Sequence, residues 1–262
     1  MRYARVSVGG RAVWGRVDDD TVRLLSGSPL DADTAPTVIG AVPRAEAVWL
    51  PPVVPPVFYA VGMNYTRHIE HAHALGDANA VMPGRPEVGY RANNALTGHL
   101  SPIVRPAGVT GRFEAEPELV AVIGRTLRRA SYEEARAGIF GWTIGNDISA
   151  RTWQHQDRTF WRSKNADTFK PMGPWIETEV DALAQTTVLR VDGEVRASFP
   201  TGGMVFDPYD YLVEMTRYLT LRPGDVLWMG AESTCQIAPG DTVEVEISGI
   251  GVLANPVQEE TA

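Results

Sequence analysis

The sequence is poor in cysteine, in lysine and in long apolar runs. Its 262 residues include a single cysteine, Cys235, which cannot form an intramolecular disulfide or supply a thiolate metal site by itself. Acidic side chains outnumber basic ones by 32 to 24, so the positive surface that nucleic acids and anionic membranes attract is missing. No apolar run approaches the roughly 20 residues of a membrane helix, and the start of the chain alternates like a strand, unlike a signal peptide. We therefore expect a cytoplasmic protein that binds neither nucleic acid nor membrane.

Lysine is almost absent, because 22 of the 24 basic residues are arginine and the other two are Lys164 and Lys170. An ammonium group is compact and can lose its proton, whereas a guanidinium cannot. A lysine kept in such a background is therefore a candidate functional group. The alternative is that two neighbouring lysines survive by chance.

Strand patterns outnumber helical patterns along the chain. Alternating apolar residues predict a hairpin about Gly9-Gly10 and a third strand, TVRLL, and four prolines between residues 51 and 56 mark a boundary. Helices are predicted for YTRHIEHAHALG, for EEARAGIF behind a Ser131/Glu134 capping box, and for PYDYLVEMTRYLTL, and a second hairpin turns at Asp192-Gly193. We therefore predict an α+β, mainly β fold, with a small β domain over residues 1–50 and a larger domain over 57–259.

Three glutamates alternate in the segment FEAEPELVAVIG. If this segment is one strand, Glu114, Glu116 and Glu118 project from the same face, and the apolar residues that follow indicate burial. Carboxylates gathered at the edge of a core favour a hard cation with oxygen ligands. The alternative is a solvated acidic face.

Further polar residues are candidates for metal binding or proton transfer. Asp147 lies near the end of the predicted strand GWTIGNDIS, where metal ligation would satisfy it, although a helix N-cap for SARTWQ is the simpler interpretation. His68 and His71 share a helix face, with Glu70 beside them, and we expect His68 to transfer protons unless the face is merely solvated. Glycine-rich phosphate loops and the GxSxG motif of serine hydrolases are absent.

Several motifs in fixed order resemble the fumarylacetoacetate hydrolase family over residues 57–257. They are VGMNYTRH, EPELVAVIGR, GWTIGNDISAR, WRSKNADTFKPMGPWI, LRPGDVLWMG and GDTVEVEISGIGVLANPV. The resemblance implies a mixed β-sandwich/β-roll that follows a small N-terminal β domain. It also implies one divalent ion, Mg²⁺ or Mn²⁺, on Glu116, Glu118 and Asp147, with Glu114 outside the ligand set.

The resemblance also implies roles for residues around the metal. Lys164 matches a lysine of the family's site, and Arg151 and Gln154 match positions beside the substrate. Where relatives often show H-x-x-E, this chain has His68, Glu70 and His71. The T-G-T-P loop that is common in the family is replaced here by MGAEST, which contains Ala231 and Glu232. A lysine-containing segment of the family is also replaced, and Arg91 lies near that place.

The implied function is a metal-dependent enzyme that acts on a 2-oxo acid through an enolate. Hydrolytic carbon-carbon cleavage of an acylpyruvate-like acid is our first choice. The alternatives are a decarboxylase, isomerase, tautomerase or hydratase of an oxo-diacid, or a non-catalytic metal-dependent binding protein. Arg91, Arg151 and Arg162 are candidate clamps for a second substrate carboxylate. Relatives of this kind are commonly dimers, so we expect a homodimer.

Overall fold

The computed structural model describes residues 1–31, 33–74, 76 and 80–261. The described part of the chain is mainly β, which confirms the predicted α+β class. Its strands are β1 Arg2–Val8, β2 Arg11–Val17, β3 Thr21–Leu25, β4 Val38–Pro43, β5 Val48–Leu50, β6 Phe58–Ala60, β7 Gly89–Tyr90, β8 Leu96–Thr97, β9 Ile103–Arg105, β10 Phe113–Ala115, β11 Pro117–Ile123, β12 Ile139–Asn146, β13 Ser149–Ala150, β14 Lys170–Glu177, β15 Thr186–Val191, β16 Glu194–Pro200, β17 Val226–Trp228, β18 Cys235–Gln236, β19 Thr242–Ile247 and β20 Gly251–Glu259.

The helices are short. They are α1 Thr66–Ala74, α2 Tyr132–Gly138, α3 Arg151–Gln154 and α4 Pro208–Thr216, with 3₁₀ turns at Arg44–Glu46, Asn93–Ala95 and Ala182–Ala184. Within the described residues, no helix has both the length and the apolar character needed to cross a membrane. Leu75, which belongs to the predicted first helix, lies outside the described residues.

Three sheets organise the chain. The largest has the order β4-β3-β2-β1-β14-β12-β11-β17-β6-β7, with β5 beside β1 and β8 beside β14. A five-stranded sheet has the order β16-β15-β19-β20-β9, and a three-stranded sheet has the order β13-β10-β18. Because β1 pairs with β14, the first strands of the chain extend the same sheet that carries β11 and β12. The division into two domains stays a prediction.

Strand β11 lies in the middle of the core and is buried at every position. Its odd-numbered residues from Leu119 to Ile123 belong to the cluster that includes Val245 of the five-stranded sheet. Val120 and Val122 belong to a second cluster with Trp228. Burial on both faces explains why the sequence LVAVI is continuously apolar instead of alternating.

Most local predictions are confirmed. The first hairpin turns at Gly9-Gly10 and the later one at Asp192-Gly193, with positive φ at all four residues, as tight hairpin turns require. Ser131 and Glu134 form the predicted capping box of α2. The strands β4 and β5, which lie between the third strand and the prolines, were not predicted.

The prediction of one continuous strand through the three glutamates is wrong. The chain breaks at Glu116, so Glu114 lies in β10 of the three-stranded sheet and Glu118 in β11 of the large sheet. Pro117 lacks an N–H and begins β11, where a ladder donor is least needed. The carboxylates therefore converge because the chain crosses between two sheets, and not because of strand alternation.

The N-cap interpretation of Asp147 is also wrong. Helix α3 begins after Ala150, which makes no side-chain cap hydrogen bond. Two residues of β13 separate Asp147 from that helix. Asp147 is therefore free to serve the site described below.

Removing one helix cap should measurably weaken the fold. Asp207 caps α4 by accepting the Asp210 N–H at 2.8 Å, and it also accepts the Tyr132 hydroxyl at 2.5 Å. We expect Asp207→Ala to lower the free energy of unfolding by about 1–2 kcal/mol, measured by urea denaturation. Glu194→Ala, which removes a surface ion pair with Arg196, is the control and should change it by less than about 0.5 kcal/mol. Equal denaturation midpoints for Asp207→Ala and the wild type would contradict this role.

Candidate metal centre and active site

The pairing of β11 with β12 brings the acidic residues together. Glu118 lies opposite Gly145 in the ladder, and the Glu116 N–H donates to the Asn146 side-chain oxygen at 3.0 Å. The Asp147 N–H in turn donates to the Glu116 carbonyl at 2.9 Å. A side chain at position 145 would lie 2.5 Å from the Trp228 ring, so glycine is needed there. Backbone bonds thus hold the two segments that carry the carboxylates.

The carboxylates of Glu116, Glu118 and Asp147 form a compact buried group. One oxygen from each lies within 4.8 Å of the other two. Oxygen donors at this spacing fit a hard divalent cation such as Mg²⁺ or Mn²⁺. The structure therefore brings together the three residues that the resemblance implied as ligands.

Lysine and arginine side chains surround these carboxylates. Lys164 Nζ lies 2.8 Å from Glu116 Oε2 and 3.1 Å from Asp147 Oδ2, and Arg91 Nη2 lies 3.1 Å from the same Asp147 oxygen. Lys164 and Arg91 thus both border the carboxylate group. Burying these charges is tolerable because guanidinium and ammonium groups pair with Glu116 and Asp147.

Arg151 is fully engaged by protein groups. Its Nε donates to Glu114 at 2.7 Å, its Nη1 to Gln154 at 2.8 Å, and its Nη2 to Glu116. Arg112 also pairs with Glu114, so that glutamate is occupied by two guanidinium groups. Arg151 therefore orients Glu116 and the neighbouring Gln154.

Lys170 is the site residue that the sequence analysis did not assign. Its side chain is fully buried, and its Nζ lies 2.5 Å from Asp147 Oδ1. The scarcity of lysine pointed to Lys170 as much as to Lys164, but only Lys164 matched a motif of the resembled family. Both lysines of the chain therefore contact the same aspartate.

Burial and charge shift the pKa values of the cluster in different directions. Burial opposes ionisation of Glu116, but Arg151 and Lys164 lower its pKa to about 2. For Glu118, burial together with the charges of Asp147 and Glu116 raises the pKa well above its usual range. Burial lowers the pKa of Lys170 to about 7, with Asp147 opposing this effect. The neighbouring carboxylates thus disfavour the ionised form of Glu118 in particular.

Helix α1 carries the predicted histidines. Its start is held by Asn64, whose side chain donates to the carbonyls of Phe206 and Met229 and accepts the Phe206 N–H. His68 is half-buried, and desolvation by burial lowers its pKa, with the charge of Glu116 opposing. Glu70 and His71 are exposed. Of these three residues, His68 is the one whose environment includes the carboxylate cluster.

The loop after β17 closes another side of the cluster. The Gly230 N–H donates to Glu118 Oε2 at 2.8 Å, and Ala231 next to it is buried. Glu232 is half-buried and lies 3.5 Å from the exposed guanidinium of Arg67 in α1. Arg162, in contrast, pairs with Asp157 and stacks on Trp153.

Comparison with known families gives two matches along the chain. The family described as fumarylacetoacetate (FAA) hydrolase C-terminal matches residues 57–258. The family described as Rv2993c-like, N-terminal matches residues 1–52.

Individual relatives differ in the reactions that their names give. A solved structure of 5-carboxymethyl-2-hydroxymuconate delta-isomerase from Mycobacterium smegmatis is 32% identical, with a TM-score of 0.87, and the match covers 99% of this chain and 100% of that one. A solved structure of fumarylacetoacetate hydrolase from Exiguobacterium antarcticum is 30% identical, with a TM-score of 0.85. That match covers 99% of this chain and 100% of the other. The mitochondrial oxaloacetate tautomerase Fahd2a of Rattus norvegicus is 30% identical over 82% of this chain and 71% of its own length.

Shortening Arg151 should destabilise the protein. A lysine at position 151 has one nitrogen in place of three differently directed donors, so at least one buried carboxylate loses its partner. We expect Arg151→Lys to lower the free energy of unfolding by about 3 kcal/mol in urea denaturation. Arg190→Lys changes an arginine that pairs with Glu246 alone, and it should cost less than about 1 kcal/mol. An equal decrease in the free energy of unfolding in the two variants would show that the protein does not need all three contacts of Arg151.

Proposed function

The chain belongs to the fumarylacetoacetate hydrolase family, and from that membership we propose a specific reaction for this enzyme. The enzyme hydrolyses a carbon-carbon bond of an acylpyruvate-like 2-oxo acid, with Mg²⁺ or Mn²⁺ held by Glu116, Glu118 and Asp147. When bound, the cation supplies Lewis-acid polarisation of the oxygens of the oxo acid.

One observation carries this proposal. Lys164 is buried against two of the three carboxylates, with Nζ 2.8 Å from Glu116 and 3.1 Å from Asp147. An ammonium held there supports an enolate oxygen that forms beside the carboxylates, because it can donate a hydrogen bond to it.

His68 supplies proton transfer in the proposed reaction. Its lowered pKa keeps the imidazole neutral at pH 7, so it can accept a proton from water as the water oxygen adds to the carbonyl remote from the carboxylate. The bond between that carbon and its neighbour then breaks, and the electron pair forms the enolate that Lys164 stabilises. The imidazolium returns its proton to the enolate carbon, which yields pyruvate and a carboxylic acid. Glu70 and His71, being exposed, are not needed for these steps.

The arginines near the site divide into two roles. Arg151 binds three protein groups, so we assign it to positioning Glu116 and Gln154 instead of clamping a substrate carboxylate. Arg91 borders the cluster through Asp147 and remains the candidate contact for substrate, together with Gln154, Ala231 and Glu232. Arg162 is left out because it binds Asp157.

A second candidate follows from the names of two relatives. One is an isomerase of a carboxylated hydroxymuconate and another is a tautomerase of oxaloacetate. Isomerisation, tautomerisation or decarboxylation of an oxo-diacid would pass through the same enolate and would use Lys164 in the same way. It differs from hydrolysis in needing no activated water.

The test is turnover of an acylpyruvate and of oxaloacetate, followed by ultraviolet absorbance and product analysis. We expect metal-dependent loss of the acylpyruvate, with Glu116→Gln and Lys164→Met each lowering kcat by about 100-fold or more. Glu133→Gln, an exposed carboxylate in α2, is the matched control and should keep full activity. Conversion of oxaloacetate alone would replace the first candidate with the second, and full activity of Glu116→Gln would remove both.

The pH dependence should report His68. Because burial lowers its pKa from the ordinary value of 6.5, the neutral imidazole persists below that pH. We expect kcat/KM to stay constant from pH 7 downward and to fall only as the pH passes below 6.5. His68→Gln should reduce the rate and abolish this acid limb. An acid limb centred above pH 6.5, or one unchanged in His68→Gln, would assign the base to another group.

A further inference from the structure

Lys170 has an environment unlike that of a surface lysine. Its side chain has no exposed area, and its Nζ is within hydrogen-bond distance of three acceptors. These are the carbonyls of Ile148 at 3.2 Å and Phe169 at 2.9 Å, and Asp147 Oδ1 at 2.5 Å. The amine donates to the two carbonyls, and its distance from Asp147 Oδ1 is that of an ion pair. The geometry therefore fits a fixed ammonium.

The two oxygens of Asp147 contact different cationic side chains. Lys170 holds Oδ1, whereas Lys164 and Arg91 both lie 3.1 Å from Oδ2. Two main-chain carbonyls keep the Lys170 ammonium in place, so it cannot move away when another cation approaches Asp147. Lys170 thus holds its nitrogen against Asp147 Oδ1 from a fixed position.

Positive and negative charges already balance in the buried part of the cluster. Ion pairs and the carboxylate group connect four acidic side chains with five basic ones among the described residues. The acidic members are Glu114, Glu116, Glu118 and Asp147, and the basic members are Arg91, Arg112, Arg151, Lys164 and Lys170. Arg112 is 47% exposed, so the four acidic members face four largely buried cations, and a divalent cation would leave two positive charges uncompensated at low dielectric.

We propose that Lys170 is a fixed counter-ion of Asp147 that couples metal binding to substrate binding, so that a divalent cation binds tightly only together with an oxo-acid anion. This inference rests on the proposed function. The carboxylate of the oxo acid supplies the negative charge that the cluster lacks once the cation is present. By thermodynamic linkage, the cation must strengthen binding of the anion by the same factor. Lys170 acts through Asp147 and is a positioning residue, not a catalytic one.

Titration calorimetry on the full chain tests this coupling without any turnover. Mg²⁺ is titrated with and without saturating sodium pyruvate, with sodium chloride added to equal ionic strength, and pyruvate is titrated with and without Mg²⁺. We expect each to tighten the binding of the other by about tenfold or more, within the range usual for coupled sites. In Lys170→Met, Mg²⁺ alone should bind about tenfold more tightly than in the wild type, and the coupling should shrink.

Two further variants keep the test decisive. Lys170→Gln retains N–H donors for the two carbonyls without the charge, and it serves if Lys170→Met does not fold. Arg190→Met removes one positive charge from the five-stranded sheet, and it should leave the Mg²⁺ affinity unchanged.

The outcomes separate this inference from the proposed function. Equal Mg²⁺ affinity with and without pyruvate in the wild type would overturn the inference, as would a folded Lys170 variant that binds Mg²⁺ no more tightly. If neither Mg²⁺ nor Mn²⁺ binds, with or without pyruvate, the proposed function itself fails.

Discussion

The need to neutralise buried carboxylates is the constraint on which this site depends. Glu114, Glu116, Glu118 and Asp147 are all buried, and an unpaired charge in that environment would cost several kcal/mol. Guanidinium and ammonium groups from separate segments of the chain pair with them. These contacts tie the crossing between β10 and β11 to α3 and to the loop that carries Lys164. The same ion pairs therefore hold the fold together at this point and set the charge of the site.

The fold separates rigid parts of the site from parts that face solvent. The ends of β11 and β12 hold the carboxylates through backbone hydrogen bonds within one sheet. His68 and Glu232 lie on α1 and on the loop after β17, at the border between buried and exposed residues. Buried carboxylates beside a more exposed histidine leave one side of the site open toward solvent. Relatives within this family carry names of different reactions.

Arginine and lysine have different tasks here because of their shapes. Arg151 connects Glu114, Gln154 and Glu116 with three differently directed nitrogens, which a single ammonium could not do. The two lysines instead occupy compact positions against the two oxygens of Asp147. Both lysines of the chain thus serve as compact cations beside one buried aspartate.

The sequence by itself determined the family, the mainly β class, the hairpin turns, the capping box of α2, and the identity of the acidic residues that converge. These follow from local rules, since turn glycines, capping boxes and ordered motifs depend on neighbours along the chain. Only the tertiary structure decided that the three glutamates belong to two sheets and that Asp147 is no helix cap. It alone showed that Arg151 is occupied by protein groups and that Lys170 reaches Asp147. Such contacts join residues from separate elements, and no local pattern records which side chains a crossing between sheets will bring together.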